Sequence, residues 1–213
     1  MTVFILLLAA LPICVTVHVI AMAAAGWLVG APLEEINLFF GPRIKKVRLG
    51  NAYLDLHALP LGGHVKFSDD FQAVHPIKRI FIASFGCFAL LVLAMLVLGT
   101  SDGLHKFFTG FYQIIGGALA PRSRGSKLLL AFYEFVKANG FVACVGLVAS
   151  KMAAGNLLPF PVLNGGDIIL ILLNWIKPMS LKLRERLQQF GFVILLVIML
   201  CWFGALYFFL RTV

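Results

Sequence analysis

Four stretches of this 213-residue chain are apolar over lengths that match a lipid bilayer. A helix rises about 1.5 Å per residue, so about 20 mainly apolar residues cross the hydrocarbon core. The stretches run from about Thr2 to Val29, Ile77 to Leu98, Phe141 to Leu158 and Phe190 to Leu210. No single water-soluble core of this size hides them. Hydrophobic residues make up 61% of the chain and charged residues 13%, against about 45–50% and about 25% in soluble domains. The same balance excludes intrinsic disorder, which needs few apolar residues and many charges. The predicted fold class is an α-helical polytopic membrane protein. Its first stretch ends in small residues, as a signal peptide does. It lacks a basic start and is far longer than the about 7–15 residues of a signal h-region, so it is read as a retained first helix.

The segments between the spans are less regular. Gly165 to Trp175 is apolar but too short to cross, and reads as a half-helix packed on the bundle. Residues 36–67 are broken by Gly41-Pro42, Gly50-Asn51 and Leu61-Gly62-Gly63, with β-prone runs between. Leu54, Leu56 and Ala58 alternate with Asp55 and His57, the period-two pattern of a half-buried strand. A small membrane-associated antiparallel sheet is therefore expected. Its backbone is tolerable at membrane depth only where protein covers it or water reaches it. From Gly103 to Leu119 an apolar stripe of Phe107, Phe108, Phe111, Ile114 and Ile115 predicts an amphipathic segment on the outer surface. A basic loop follows at Ala120 to Ser126, and residues 103–140 are read together as an outer segment and loop.

The net charge is +9. No Lys/Arg run is interleaved with aromatics, so nucleic acid is not the expected partner; basic loops flanking membrane spans account for the excess. Eleven cations (Arg43, Lys45, Lys46, Arg48, Lys66, Lys78, Arg79, Lys177, Lys182, Arg184 and Arg186) fall on one side of the spans. Six (Lys106, Arg122, Arg124, Lys127, Lys137 and Arg211) fall on the other. The positive-inside rule puts both chain ends outside. Cys14, Cys87, Cys144 and Cys201 lie in apolar stretches without CxxC spacing and read as small buried hydrophobes. Within the spans, Lys151 is expected to pair with Asp167 or to snorkel to an interface. So few intramembrane charges are poor material for a transport pathway.

Two segments are more specific. The first holds Val17-His18-Val19-Ile20-Ala21-Met22-Ala23, then Glu34 to Pro42 with Phe39-Phe40-Gly41-Pro42, then Ala58-Leu59-Pro60-Leu61-Gly62-Gly63-His64-Val65-Lys66. The second is Asn156-Leu157-Leu158-Pro159-Phe160-Pro161-Val162-Leu163-Asn164-Gly165-Gly166-Asp167. In content and order they resemble the site-2 protease family of intramembrane zinc metalloproteases, over nearly all of residues 1–213. The PDZ insertion of many members is absent between the second and third spans. The resemblance implies one membrane domain, a bacterial inner (cytoplasmic) membrane location, and a sheet that pairs with the unwound backbone of a client. That pairing is β-strand addition. The client-binding residues it implies are Phe39, Gly41, Pro42, Leu59, Pro60, Gly62, Gly63, Pro159 and Pro161.

The family's chemistry uses H-E-x-x-H, two histidines on one helix face that bind zinc beside a Glu that activates water. An Asp in an L-D-G element supplies the third ligand. His18 matches the first histidine. Val19 stands at the Glu, Met22 at the second histidine and Asn164 at the Asp. Val accepts no proton, and a thioether suits copper(I) better than zinc. Asn164 offers only a neutral carbonyl oxygen. The expected reading is a catalytically inactive homologue with no cofactor. It would bind a membrane-protein client, or serve as a subunit of a membrane complex, within the lipid bilayer. The alternative is an active zinc metalloprotease with a site rebuilt from His18, Asp167 and either His57 or His64. Each has a plainer role: strand histidines hydrogen-bond locally, Asp167 caps the half-helix, and His18 bonds Asn164 across the former site.

Overall fold

The structure is a computed structural model that describes residues 2–211. Met1, Thr212 and Val213, which the single-domain reading and the placement of both chain ends included, lie outside the described residues. The chain runs α1 (Thr2–Leu28), β1 (Leu33–Leu49), β2 (Ala52–Phe67), α2 (Pro76–Leu98), α3 (Thr100–Leu119), α4 (Ser126–Asn156), α5 (Asn164–Ile176) and α6 (Leu181–Leu210). Among the described residues four helical segments are long and apolar enough to cross a membrane: Val3–Leu28, Pro76–Leu98, Pro121–Asn156 and Leu181–Leu210. Apolar side chains on α6, such as Phe192, Val193, Leu196 and Leu200, are left exposed. In water that surface would be costly, whereas lipid accepts it. The protein is an α-helical polytopic membrane protein with a small antiparallel sheet.

Local chemistry sets the helix limits. Pro76 occupies the first turn of α2, where its missing N–H costs nothing, and the His75 side chain accepts from the Ile77 N–H. Ser180 caps α6 by accepting from the Leu183 N–H at 3.3 Å. Helix α6 begins well before residue 190 because Leu181–Gln189 is polar yet helical, and apolar continuity alone did not reveal its start. Helix α4 likewise extends upstream of residue 141. Gly140 breaks it (φ 76°, ψ −164°), a conformation only glycine adopts readily. Residues 126–139 form one arm, with Lys127, Glu134 and Lys137, and residues 141–156 form the apolar arm that the sequence predicts.

The amphipathic segment is corrected more substantially. Helix α3 is a packed element of the bundle, with Gly103, Phe107, Thr109 and Gly110 buried. A Cβ on Gly103 would lie 2.9 Å from the Met95 backbone, and one on Gly110 would lie 2.7 Å from Ala154 Cβ. Glycines let α3 approach α2 and α4 this closely, and its phenylalanine stripe reads the same against protein as against lipid. Phe107 joins Ala10, Cys14, Leu90, Cys144 and Ala149 in the main core.

The two strands form one bulged antiparallel sheet. Ile36 faces Val65 on one side and Leu54 on the other, and Asn37 faces His64 and Asp55. Positive φ at Phe39 (71°) and Gly41 (86°) turns β1 sharply between these pairings. Leu33, Ile36, Leu38 and Ala52 of the sheet pack on Val15, Val19 and Ala23 of α1. This protein cover makes sheet backbone tolerable beside a membrane helix. Lys46 Nζ donates to Glu35 Oε1 at 2.9 Å, which holds the Glu35 carboxyl below its usual range.

Asp55 is 1% exposed and receives both a 2.7 Å bond from Arg43 Nε and a 2.7 Å contact from Arg43 Nη2. Such two-point pairing is the strong form of the guanidinium–carboxylate bond. Arg43→Ala leaves that carboxylate buried without its cation, an expected loss of about 2 kcal/mol. A thermal midpoint unchanged from the parent would rule this out.

Candidate functional site

The residues that the sequence singles out on α1 and α5 meet at one point. His18 is 6% exposed, Val19 1%. Met22 lies one turn beyond His18, on the same helix face. Asn164 opens α5 after the Leu157–Leu163 loop and directs its amide into this place. Its Nδ2 donates to the Ala83 carbonyl at 2.7 Å. That short contact fixes the amide orientation, since an oxygen there would repel Ala83 O. The other hydrogen points among His18 Nε2 at 3.4 Å, Met22 Sδ at 3.5 Å and Cys87 Sγ at 3.8 Å. His18 Nε2 therefore faces this hydrogen as an acceptor, while Nδ1 is buried without a hydrogen-bond partner among the described residues. The Nδ1 side packs against Gly86, where a Cβ would lie 2.7 Å away.

Val19, at the position of a general base, is core. It belongs to the cluster joining α1 to the sheet, and a Cβ on Gly63 would lie 3.0 Å from its Cγ2. The site is thus walled by Asn164 from α5, by Ala83, Gly86 and Cys87 from α2, and by the sheet beside Val19. Sequence reasoning missed the α2 members. Their signal was small residues three and four apart on one helix face, at Ala83, Gly86 and Cys87.

The set proposed for a rebuilt site is not assembled. His57 Nδ1 donates to the Gly41 carbonyl at 2.7 Å, and Asn37 Nδ2 donates to His64 Nε2 at 3.3 Å. Asp167 faces the charges of Arg184 and Arg79. Nor does Lys151 pair with Asp167; it bonds α3. Among the described residues no three His, Cys, Asp or Glu side chains converge as metal ligands would.

The positions expected to bind a client lie on the sheet and in the loop before α5. Leu59 is 48% exposed and Phe39 half-buried, while Phe40, which is not among the expected positions, is 47% exposed. Phe39, Gly41 and Pro42 turn β1 beside Leu59, Pro60 and Gly62 of β2: a Cβ on Gly62 would meet the Phe40 ring, and one on Gly41 would meet the Leu59 side chain at 3.1 Å. Gly63 instead faces inward, against Asn37 and Val19. Pro159 and Pro161 lie in the loop before α5, where a Cβ on Gly191 of α6 would meet the Pro161 carbonyl.

The sequence pattern of Peptidase family M50 matches residues 6–198, most of the chain. The chain belongs to this family, the site-2 proteases. A Chlamydia trachomatis protein, provisionally named a zinc metalloprotease, is 27% identical over 137 residues, covering 53% of this chain and 22% of that protein. A Clostridium perfringens protein, named in the same way, is 26% identical over 168 residues, covering 73% of this chain and 49% of that protein. The chain thus spans no more than about half the length of these relatives. The zinc their names specify does not suit the residues found here. Zinc takes imidazole, thiolate and carboxylate donors, three of them in a catalytic site. Here Met22 brings a thioether, and Asn164 turns amide hydrogens, not oxygen, toward His18.

Proposed function

We propose that this chain is a catalytically inactive site-2 protease that acts by binding, either holding a membrane-protein client or forming a subunit of a membrane complex. The observation that carries this reading is the Asn164 amide. It points a hydrogen at the imidazole nitrogen that a metal would need, and Ala83 O holds it in that orientation. The neighbouring Val19 offers no group to accept a proton from water. Family membership supplies the context, a scaffold whose sheet stands beside the former centre. The exposed Phe40 and Leu59 side chains are the accessible part of that sheet for a client strand. The cation asymmetry favours both chain ends outside a bacterial inner membrane.

Zinc content and photocrosslinking test this together. The purified protein is expected to hold far less than one zinc per chain, unchanged in His18→Ala. A photoreactive phenylalanine at position 40 or 59 is expected to capture a discrete membrane protein, and one at lipid-facing Leu200 is not. Stoichiometric zinc that disappears in His18→Ala would overturn the proposal and favour a rebuilt metalloprotease. Identical crosslinking from all three positions would remove the binding role.

A further inference from the structure

Lys151 sits on the apolar arm of α4, facing α3. Its Nζ donates to the Lys106 carbonyl at 2.6 Å, to Gln113 Oε1 at 2.8 Å and to Thr109 Oγ1 at 3.1 Å. These three bonds fill the donor capacity of an ammonium group. All three acceptors are neutral, so the hydrogen bonds are satisfied and the charge is not. An ammonium inside a membrane bundle without a counter-charge is expensive.

Beside it lies a cavity of about 420 Å³ between α3, α4 and the Trp202 face of α6. Such a volume falls in the range of small-molecule pockets, about 300–1,000 Å³. The polar end carries Lys151, Lys106 and His105 with Thr109 and Gln113, and no Asp or Glu lines it. Lys106 Nζ stands 4.5 Å over the Phe135 ring, so its partner is also uncharged. The rest of the wall is apolar, including Ile114, Leu128, Phe132, Leu147 and Trp202. Trp202 is pinned there by its Nε1 bond to the Ile114 carbonyl at 3.1 Å.

A cationic head and an apolar body call for the complementary molecule. We infer that this cavity binds an acyl chain carrying an anionic headgroup, its carboxylate or phosphate at Lys151 and its tail against Ile114, Leu128, Phe132 and Trp202. The headgroup takes the place of the Gln113 side chain, which has more rotatable bonds than the Thr109 hydroxyl or the Lys106 carbonyl, and supplies the missing charge. The inference does not depend on whether the His18 centre is active. A free fatty acid and an acidic phospholipid share this chemistry.

Trp202 makes the site readable, because bromine on an acyl chain quenches indole fluorescence at contact. The chain has three tryptophans, and Trp27→Phe with Trp175→Phe leaves Trp202 as the sole reporter. In phosphatidylcholine vesicles, brominated stearate or brominated phosphatidylglycerol is expected to quench saturably beyond the level set by brominated phosphatidylcholine. The more effective of the two identifies the headgroup source. Brominated stearate methyl ester should give only the phosphatidylcholine level. Lys151→Gln is expected to raise the half-saturating concentration about tenfold, the effect of losing one charge-assisted contact. Should that variant not fold, Ala131→Phe narrows the cavity from an exposed position, leaves the cation in place, and should abolish the excess quenching. Equal quenching by acid, ester and phosphatidylcholine would overturn the inference. So would saturation untouched by either substitution, or shielding of Trp202 by an acidic transmembrane peptide with no response to lipid.

Discussion

With Met22→His and Asn164→Asp, the protein is expected to bind one zinc per chain, where the parent is expected to hold far less than one. The backbone already points these positions at His18: Met22 Sδ lies 3.5 Å and His18 Nε2 3.4 Å from the Asn164 amide nitrogen. A histidine one turn beyond His18 and a carboxylate in place of the amide recreate two imidazoles and one oxygen donor, with a fourth position open to water. The exchange also removes the bond to Ala83. A carboxylate oxygen beside that carbonyl is repelled, and the metal offers the nearest relief. Binding raises stability in proportion to occupancy, about 4 kcal/mol when free zinc stands a thousandfold above its dissociation constant. The midpoint of thermal unfolding should therefore rise with zinc and fall back with chelator. Peptide cleavage by the double variant is expected to be absent, because Val19 provides no base. A folded double variant that ignores added zinc would show that the scaffold has closed around Asn164 beyond repair, and would refute the geometry argued above.

That experiment separates what the sequence exposes from what it hides. His18, Met22 and Asn164 were legible as one centre because two short motifs, far apart in the chain, resemble those that carry the metal ligands of the site-2 protease family. The half-helix and the sheet were legible too, from length and from period two. What remained hidden depends on partners. Nothing in the phenylalanine stripe of α3 distinguishes lipid from protein, and only the close approaches at Gly103 and Gly110 decide it. The arm of α4 before Gly140 carries charge, so apolar length alone missed it. Lys151 looked like a partner for Asp167 because carboxylates are the default choice for an intramembrane cation. It found neutral acceptors on α3, while Asp167 lies within the field of Arg184 and Arg79. Pairing across elements is tertiary information. Charge type alone does not supply it.

Gly166→Ala is expected to dismantle the centre without touching any of its polar groups. Asn164 is positioned by the loop that precedes it: Phe160 N donates to Leu158 O at 2.8 Å, Leu163 N to Phe160 O at 2.9 Å and Asp167 N to Leu163 O at 2.9 Å. The first turn of α5 lies directly on this loop. A Cβ at Gly166 would strike the Phe160 carbonyl, and one at Gly165 the Leu157 carbonyl, both backbone atoms that no rotamer change can move. Helix and loop must part, and overpacking of this kind costs about 1–3 kcal/mol or more. The amide leaves Ala83 O and uncovers Cys87, which is 1% exposed in the parent. In a Cys201→Ser background, which removes the one cysteine that is not fully buried, a maleimide should leave the parent unlabelled. It should modify Cys87 in the Gly166→Ala variant, together with a clearly lowered unfolding midpoint. A variant that melts like the parent and keeps Cys87 unreactive would mean that α5 is not held against the loop as described, and that the orientation of Asn164 has some other cause.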